Sequence, residues 1–303
     1  MMVPTASKPP LLFAGAESLR PAPAAVREIV FASDLSAASD RAFDHARLLA
    51  EGFGAHLVLY HAVETAHEAV QPQDRELAYR LQRGAREHLD RRAQGTVAAT
   101  AVHVEHARSA ADALVAHLRG ATPDLVVMGT RGRSGAAHLI LGSVAETVLH
   151  RTRLPTLCVR EPQHGVALPY RRIVVPTDLS AESRRALPLA AAFGRVFGAE
   201  ILAVHVADVH IHRSTCGVTA TVEERVPSEL QVAAFVRSEM PDLRVRARVE
   251  LGTACDGITR VAAEEHADVI VLSTHGEDSF ADRLQGSHAE RIVRQSPCPV
   301  LVV

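Results

Sequence analysis

The strongest constraint on this chain is that it repeats itself. Glu28-Ile29-Val30-Phe31-Ala32-Ser33-Asp34-Leu35-Ser36 returns as Arg172-Ile173-Val174-Val175-Pro176-Thr177-Asp178-Leu179-Ser180, an offset of 144. The same offset carries His61 to His205, Gly132 to Gly276, Gly142-Ser143 to Gly286-Ser287, and Pro155 to Pro299. One constant shift over so many landmarks implies two copies of one folding unit with no net insertion. A chain of 303 residues holds two such units comfortably. Residues 1–25, with five prolines, read as a disordered tail. The first domain then spans 26–160 and the second 170–303, joined through Glu161-Pro162-Gln163-His164-Gly165.

Within each half, short apolar runs alternate with amphipathic stretches. Ile29–Ala32, Leu57–Tyr60, Val102–Val104, Asp124–Met128 and Pro155–Val159 read as strands. Ser36 is placed to cap a helix carrying Ala42, Phe43, Ala46, Leu49 and Ala50, and Gly52 and Gly54 punctuate its end. Further helices are expected over 74–94, from Ser109 to Leu118, and from Gly142 to about Arg151. Strand–helix alternation implies an α/β fold with a doubly wound parallel sheet and ligands at the carboxyl ends of its strands. In the second half the segment 208–240 reads less clearly as helix, because Gly217, Pro227 and Pro241 interrupt it.

Composition narrows the chemistry. Lys8 is the only lysine, which excludes a Walker A loop and Schiff-base or Ser-Lys catalysis in the body of the chain. Lys+Arg of 33 against Asp+Glu of 35 leaves no basic surplus for coating a nucleic acid. No apolar run approaches the ~20 residues of a membrane span. The four cysteines, Cys158, Cys216, Cys255 and Cys298, show no C-x-x-C spacing, so a reduced, cytoplasmic setting is expected. Cys158 reads as a core residue. Cys298, between two prolines, is expected to be more exposed.

The stretch Gly129-Thr130-Arg131-Gly132, followed after nine residues by Gly142-Ser143, carries the most functional information. Gly129 directly follows a buried strand, and positions without a Cβ let backbone amides approach an anion. Gly142-Ser143 opens a helix, whose free N–H groups and dipole favour negative charge. Arg131 and Arg133 add positive charge. The group is suited to a di- or triphosphate without a lysine.

Gly-x2-Gly-x9-Gly-Ser after a hydrophobic strand resembles the nucleotide-binding signature of the universal stress protein family. The strand-end Asp34 with Leu35-Ser36, and Leu59-Tyr60-His61, resemble it as well. The resemblance covers both halves and implies a tandem protein of the UspA-like type. It implies two five-stranded, adenine nucleotide alpha hydrolase-like units that form an intramolecular pseudo-dimer through their terminal strands, Thr156–Val159 and Val300–Val303. Two chains could then dimerise further. It implies ATP as ligand, with Mg²⁺ bridging the phosphates. Asp34 would meet the ribose–base end, Ala62 and Met128 would lie against adenine, and Gly129, Gly132, Gly142, Ser143 and Val144 would surround the phosphates. The matching positions in the second half are Asp178, Val206, Leu272, Ser273, Gly276, Gly286, Ser287 and His288. The implied role is a nucleotide-dependent sensor or regulator of the stress response, at most a slow ATPase with no catalytic residue assigned. The competing reading is an interaction protein that kept the fold and lost the ligand; an adenylyl transferase on the same pocket ranks third.

The halves depart from the family pattern differently. Ala32-Ser33-Asp34 stands where Pro-Thr-Asp is usual, and Ser273 replaces the first glycine in half two. Residues 133–141 carry a net charge of +1 and residues 277–285 a net charge of −2. Coulomb's law then favours ATP in the first half and a weaker or empty second site. His61 and His205 end matching strands and read as structural. His205, Asp208, His210, His212 and Cys216 contain metal-ligand types, and an extended segment would align 208, 210 and 212 on one face. With 17 histidines in the chain such clustering is common by chance, so a metal site here is kept as an open alternative and none is assigned. Arg83–Arg92, interleaved with Glu87 and Asp90, reads as a solvated helix face.

Overall fold

A computed structural model describes residues 26–65, 72–130, 141–152, 154–160, 168–207, 209–214, 217–222, 226–273 and 288–303. The first half runs β1 (Glu28–Ala32), α1 (Ala37–Phe53), β2 (His56–Glu64), α2 (Pro72–Ala93), β3 (Thr100–Ala107), α3 (Ala110–Ala121), β4 (Leu125–Gly129), α4 (Ser143–Arg151) and β5 (Thr156–Val159). The second half opens with β6 (Arg172–Pro176), a 3₁₀ turn (Ser183–Ala186), α5 (Leu187–Phe197) and β7 (Glu200–Ala207). It continues with β8 (Val209–Ser214), β9 (Gly217–Val222), α6 (Glu229–Arg237), β10 (Val245–Leu251), α7 (Ala254–Glu264), β11 (Val269–Leu272), α8 (His288–Gln295) and β12 (Val300–Val302).

Local signals set these boundaries. The Ser36 hydroxyl accepts from Ser39 N–H at the start of α1, and Gly54 ends it in the left-handed region at φ 65°. Ser109 caps α3, and Ser228 with Gln231 forms a reciprocal capping box at α6. The duplication extends to individual hydrogen bonds. Asp124 accepts from Arg27 N and Glu28 N at 2.6 and 3.0 Å, and Asp268 accepts from Arg171 N and Arg172 N at 2.7 and 2.8 Å. Each carboxylate fixes the entry of its half's first strand, β1 beside β4 and β6 beside β11.

All strands but β8 and β9 join one ten-stranded sheet, in the order β10-β7-β6-β11-β12-β5-β4-β1-β2-β3. Neighbours within each half are parallel, and β5 meets β12 antiparallel, with Thr156, Leu157 and Cys158 opposite Val302, Leu301 and Val300. The expected pairing of the terminal strands therefore occurs inside one chain. Central strands such as β4 are buried along nearly their whole length, which is why they read as unbroken apolar runs. Residues of α1, α2, α5 and α6 form a core with one face of the sheet, and residues of α3, α4, α7 and α8 a core with the other. On the edge strand β10, Arg246 pairs with Glu200 and Glu265 at 2.9 Å, and Arg248 with Glu264 at 2.6 Å. Charges along such an edge discourage pairing with further strands.

The second half differs where its sequence was least regular. An antiparallel hairpin, β8–β9, occupies the segment after β7, and only then does α6 follow. The hairpin's backbone is extended at His210 and His212; Asp208 and Cys216 lie outside the described residues. One expectation is corrected. Cys298 is buried at 1 % exposure, because β12 lies in the middle of the sheet and its entry turn is covered. Ser296 Oγ accepts from Cys298 N at 3.2 Å and donates to Cys298 O at 2.7 Å, folding the Pro-Cys-Pro turn inward. Burial pushes the Cys298 thiol up to about 12. Arg83 and Glu87 are exposed and paired at 2.8 Å, as a solvated face requires, whereas Arg92 is half-buried, lying over the Phe43 ring and pairing with Asp40 of α1.

Beside the central ladder, α1 packs against α5. Phe53 meets Phe193 and Phe197 at centroid distances of 5.5 and 6.4 Å. Tyr170 is fully buried against the same rings and shares a 2.7 Å hydrogen bond with His45 Nδ1. A Cβ at Gly52 would stand 2.8 Å from Val196 Cγ1 and 3.1 Å from the Phe197 ring, so this glycine allows the close approach. Gly52→Val is expected to lower stability by about 1–3 kcal/mol through overpacking, read as a lower midpoint in denaturant unfolding. An unchanged midpoint would show that the α1–α5 contact is loose.

Burial pushes the His45 pKa down to about 4. The unfolded chain, with an ordinary histidine near 6.5, therefore binds more protons between these values. Stability is full above pH 6.5 and falls as pH drops toward 4, by up to about 3 kcal/mol from this residue. Burial and the nearby His103 also lower His117, which adds to the same trend. Thermal midpoints measured from pH 7 to pH 4 should fall more steeply for the parent chain than for His45→Gln, and parallel curves would remove His45 as the cause.

Candidate functional site

In the first half the strand order turns back between β1 and β4. β1 leads outward to β2, and β4 leads toward β5 on the other side. Crossover helices leave on opposite faces at such a point, and a crevice opens at the carboxyl ends of the two strands. The register aligns Ala32 with Met128 of β4 on one side and Tyr60 of β2 on the other. Asp34, Ala62, Met128 and Gly129 thus lie at the ends of three adjacent strands.

The loop after β1 is held tightly. His61 Nδ1–H donates to the Ser33 carbonyl at 2.7 Å, and Ser33 N–H donates to Tyr60 O at 2.9 Å. Leu35 takes a left-handed φ of 63°, a conformation unfavourable for leucine by about 1–2 kcal/mol. Ser33 Oγ compensates by accepting from Leu35 N at 3.1 Å, and Asp34 Oδ1 by accepting from Ser36 N and Ser36 Oγ at 3.0 and 2.7 Å. The second half repeats the device. His205 Nδ1 meets Thr177 O at 2.9 Å, Leu179 has φ 67°, and Asp178 Oδ1 accepts from Ser180 N at 2.9 Å. Both histidines hold a loop in place, in keeping with a structural role.

One atom sets the first loop apart. Asp34 Oδ2 is buried and has no hydrogen-bond partner among the described residues. A carboxylate oxygen sealed from water and left unmatched is costly, and such atoms call for a partner. Asp178, at the equivalent position, is exposed.

The end of β4 is tied directly to the start of α4. Gly142 N–H donates to Thr130 O at 2.8 Å, and Thr130 N–H donates to Val159 O at 3.0 Å. This bond holds Gly142 beside the end of β4, although twelve residues separate it from Gly129 in sequence. Gly142 is the N-cap of α4 and supplies no side-chain hydrogen bond, so no cap covers the first-turn amides from that position. Ser143 is exposed at the helix start, and Val144 packs partly into the core that contains Ala62 and Met128. The predicted adenine neighbours and the opening of the phosphate helix therefore share one side of the sheet. Gly132 lies outside the described residues. In the second half Leu272 is buried at the end of β11, Val206 lies near the end of β7, and both belong to the corresponding core. Ser273 and His288 are described, and Gly276, Gly286 and Ser287 lie outside the described residues.

Sequence reasoning passed over a polar group next to Ala62. Tyr60, two residues earlier on the same face of β2, donates to Glu105 Oε1 at 2.5 Å. Glu105 stands directly beside Ala62 in the β2–β3 register. The His103 and His117 rings stack at 4.7 Å, and the Tyr60 ring lies 4.7 Å from that of His117. Burial, then the hydrogen bond to Glu105, raises the Tyr60 pKa and keeps the phenol protonated. The alternation Tyr60/Ala62 against His103/Glu105 is visible in the sequence, but its meaning needs the register of β2 on β3.

Among known proteins, the sequence is 32% identical over 139 residues to a universal stress protein of Methanocaldococcus jannaschii, covering 44% of this chain and 82% of the relative. It is 30% identical over 139 residues to a universal stress protein of Thermus aquaticus, covering 44% of this chain and 98% of that protein. The crystal structure of a universal stress protein from Archaeoglobus fulgidus has the same fold, with a TM-score of 0.71 at 20% identity over 91% of this chain and 97% of that one. The universal stress protein family model matches twice, over residues 25–160 and 169–303. The chain belongs to the universal stress protein family and carries two copies of its domain in tandem.

Proposed function

We propose that the first half binds ATP in the crevice between β1 and β4, and that the protein is a nucleotide-dependent regulator or sensor of the stress response. The observation that carries this reading is Asp34 Oδ2, buried and unmatched among the described residues at the end of β1. A ribose hydroxyl is a donor of suitable chemistry for it. Ala62, Met128 and Val144 supply an apolar wall for an adenine ring. The bare opening of α4, with Gly129, Gly142 and Ser143, supplies amide and hydroxyl donors for phosphates. Gly132 and Mg²⁺ complete the proposed phosphate grip. A bound triphosphate contributes its own charge and energy; the chain's part is to orient it and shield its base end.

Among the described residues around Gly142, no side chain is assigned as a base for an attacking water, and the proposed role is binding with slow hydrolysis at most. The second half is proposed to bind weakly or not at all. Asp178 there is exposed, and Ser273 places a Cβ where Gly129 has none. That half fits the alternative role of an interaction module that keeps the fold without the ligand. The reduced, cytoplasmic setting stays part of this reading; no helix among the described residues is long and apolar enough to cross a membrane.

Calorimetric titration of the full chain should give one ATP per chain. Gly132→Arg should abolish binding, Gly276→Arg should leave it intact, and Asp34→Ala should weaken it about tenfold or more, as expected for a charged hydrogen bond. Binding that survives Gly132→Arg and disappears with Gly276→Arg would move the site to the second half. No binding at millimolar ATP would leave the interaction-module reading for both halves.

A further inference from the structure

The offset of 144 that relates the halves also relates Glu146 to Glu290 and position 150 to position 294. These residues lie on α4 and α8, and they meet across the seam between the halves. The equivalence breaks at one place: Arg294 in the second half corresponds to His150 in the first. A symmetric seam would hold two Glu–Arg pairs, one on each helix. The actual seam replaces one guanidinium, which cannot ligate a metal, with an imidazole, which can.

We infer that Glu146, His150 and Glu290 form a binding site for a divalent first-row transition-metal ion of the Zn²⁺ type. One ligand atom from each of the three lies within 4.8 Å of the others. Small rotamer changes bring atoms so spaced to the ~2.0–2.2 Å bond lengths of Zn²⁺ with imidazole nitrogen and carboxylate oxygen. Glu290 is 4% exposed, a burial that a carboxylate tolerates only when its charge is matched. Its two oxygens have separate duties. Arg294 Nη2 holds Oε2 at 3.3 Å, and Oε1 faces His150 Nε2 in close contact. An arginine that pins one oxygen and directs the other into the cluster acts as an outer-shell partner does in metal sites.

Glu146 is the feature an ion pair alone leaves unexplained. Arg294 already matches the charge of Glu290, and beside a neutral His150 imidazole a second carboxylate adds repulsion. A divalent cation satisfies both carboxylates and takes the neutral imidazole as its third ligand. One nitrogen and two oxygens favour Zn²⁺, Co²⁺ or Ni²⁺ over Mg²⁺ or Ca²⁺, which prefer all-oxygen shells. Three protein ligands leave a position for water. His150 and Glu146 are accessible from solvent, which provides an entry path.

The informative variant is His150→Arg. It restores the residue found at the related position, keeps a cation beside Glu290, and removes the metal ligand. The full chain, stripped with a chelator and free of nucleotide, is titrated with Zn²⁺ by calorimetry and with Co²⁺ by absorption. The parent chain should bind one more equivalent than His150→Arg and should gain thermal stability from Zn²⁺ that the variant does not. Glu146→Gln, a half-buried change that leaves the seam pair in place, should weaken that equivalent by about ten- to a hundredfold. Equal Zn²⁺ stoichiometry in the parent and His150→Arg would overturn the site, as would a parent chain that binds no Zn²⁺ at submillimolar concentration. Either result would leave the cluster as an ion-pair clamp between the halves.

Discussion

Three residue pairs between β5 and β12 determine how everything else is arranged. Leu157 faces Leu301 with both side chains fully buried, flanked by Cys158 with Val300 and Thr156 with Val302. Alone, each half would end its sheet in an apolar strand with unpaired amides, a surface prone to association. Joined, they make a single sheet whose two cores run through both halves. Because this one pairing is antiparallel, the strands of the two halves point in opposite directions. The carboxyl ends of β1 and β4 and those of β6 and β11 therefore lie at opposite ends of the sheet. The same pairing brings α1 against α5 through Gly52 and Phe53, and α4 against α8 through His150 and Glu290.

Duplication gave both halves the same scaffold, and they differ in the β8–β9 hairpin, at the α4–α8 seam, and where the ends of β1 and β4 correspond to those of β6 and β11. The left-handed leucine, the strand-end histidine and the carboxylate that accepts from the second serine recur in each. These contacts keep a strained loop in position whether or not a ligand is present. Asp34 and Asp178 then part company in exposure, and Gly129 and Ser273 in the space they leave. The loop charges that follow diverge in the same sense.

Much of this was readable from residue patterns because the interactions involved are local. Ser36, Ser109 and Gly54 act on amides within a turn of themselves, so their roles follow from spacing. The buried strands were legible because a central parallel strand is apolar on both faces. What escaped was whatever depended on the pairing of distant strands. The Tyr60–Glu105 bond and the stacked His103 and His117 require the β2–β3 register. The burial of Cys298 requires that β12 be central, whereas two flanking prolines suggest an exposed turn. The β8–β9 hairpin occupies a segment whose glycine and proline content argued only against helix. The approach of Glu146 and His150 to Glu290 depends on the meeting of α4 and α8 across the β5–β12 seam, which no local periodicity encodes. Gly132, Gly276, Gly286 and Ser287 fall outside the described residues, and of the first-half loop only its two ends, at Gly129 and Gly142, are described.

The nucleotide is proposed to sit at the β1–β4 turning point alone. Amide hydrogen exchange on the full chain, with and without ATP, addresses it directly, because exchange reports each segment separately. Slower exchange is expected in two segments, 33–39 after β1 and 129–148 around the opening of α4, with the matching segments 177–183 and 273–292 unchanged. Protection confined to the second half, or none anywhere at saturating ATP, would contradict it.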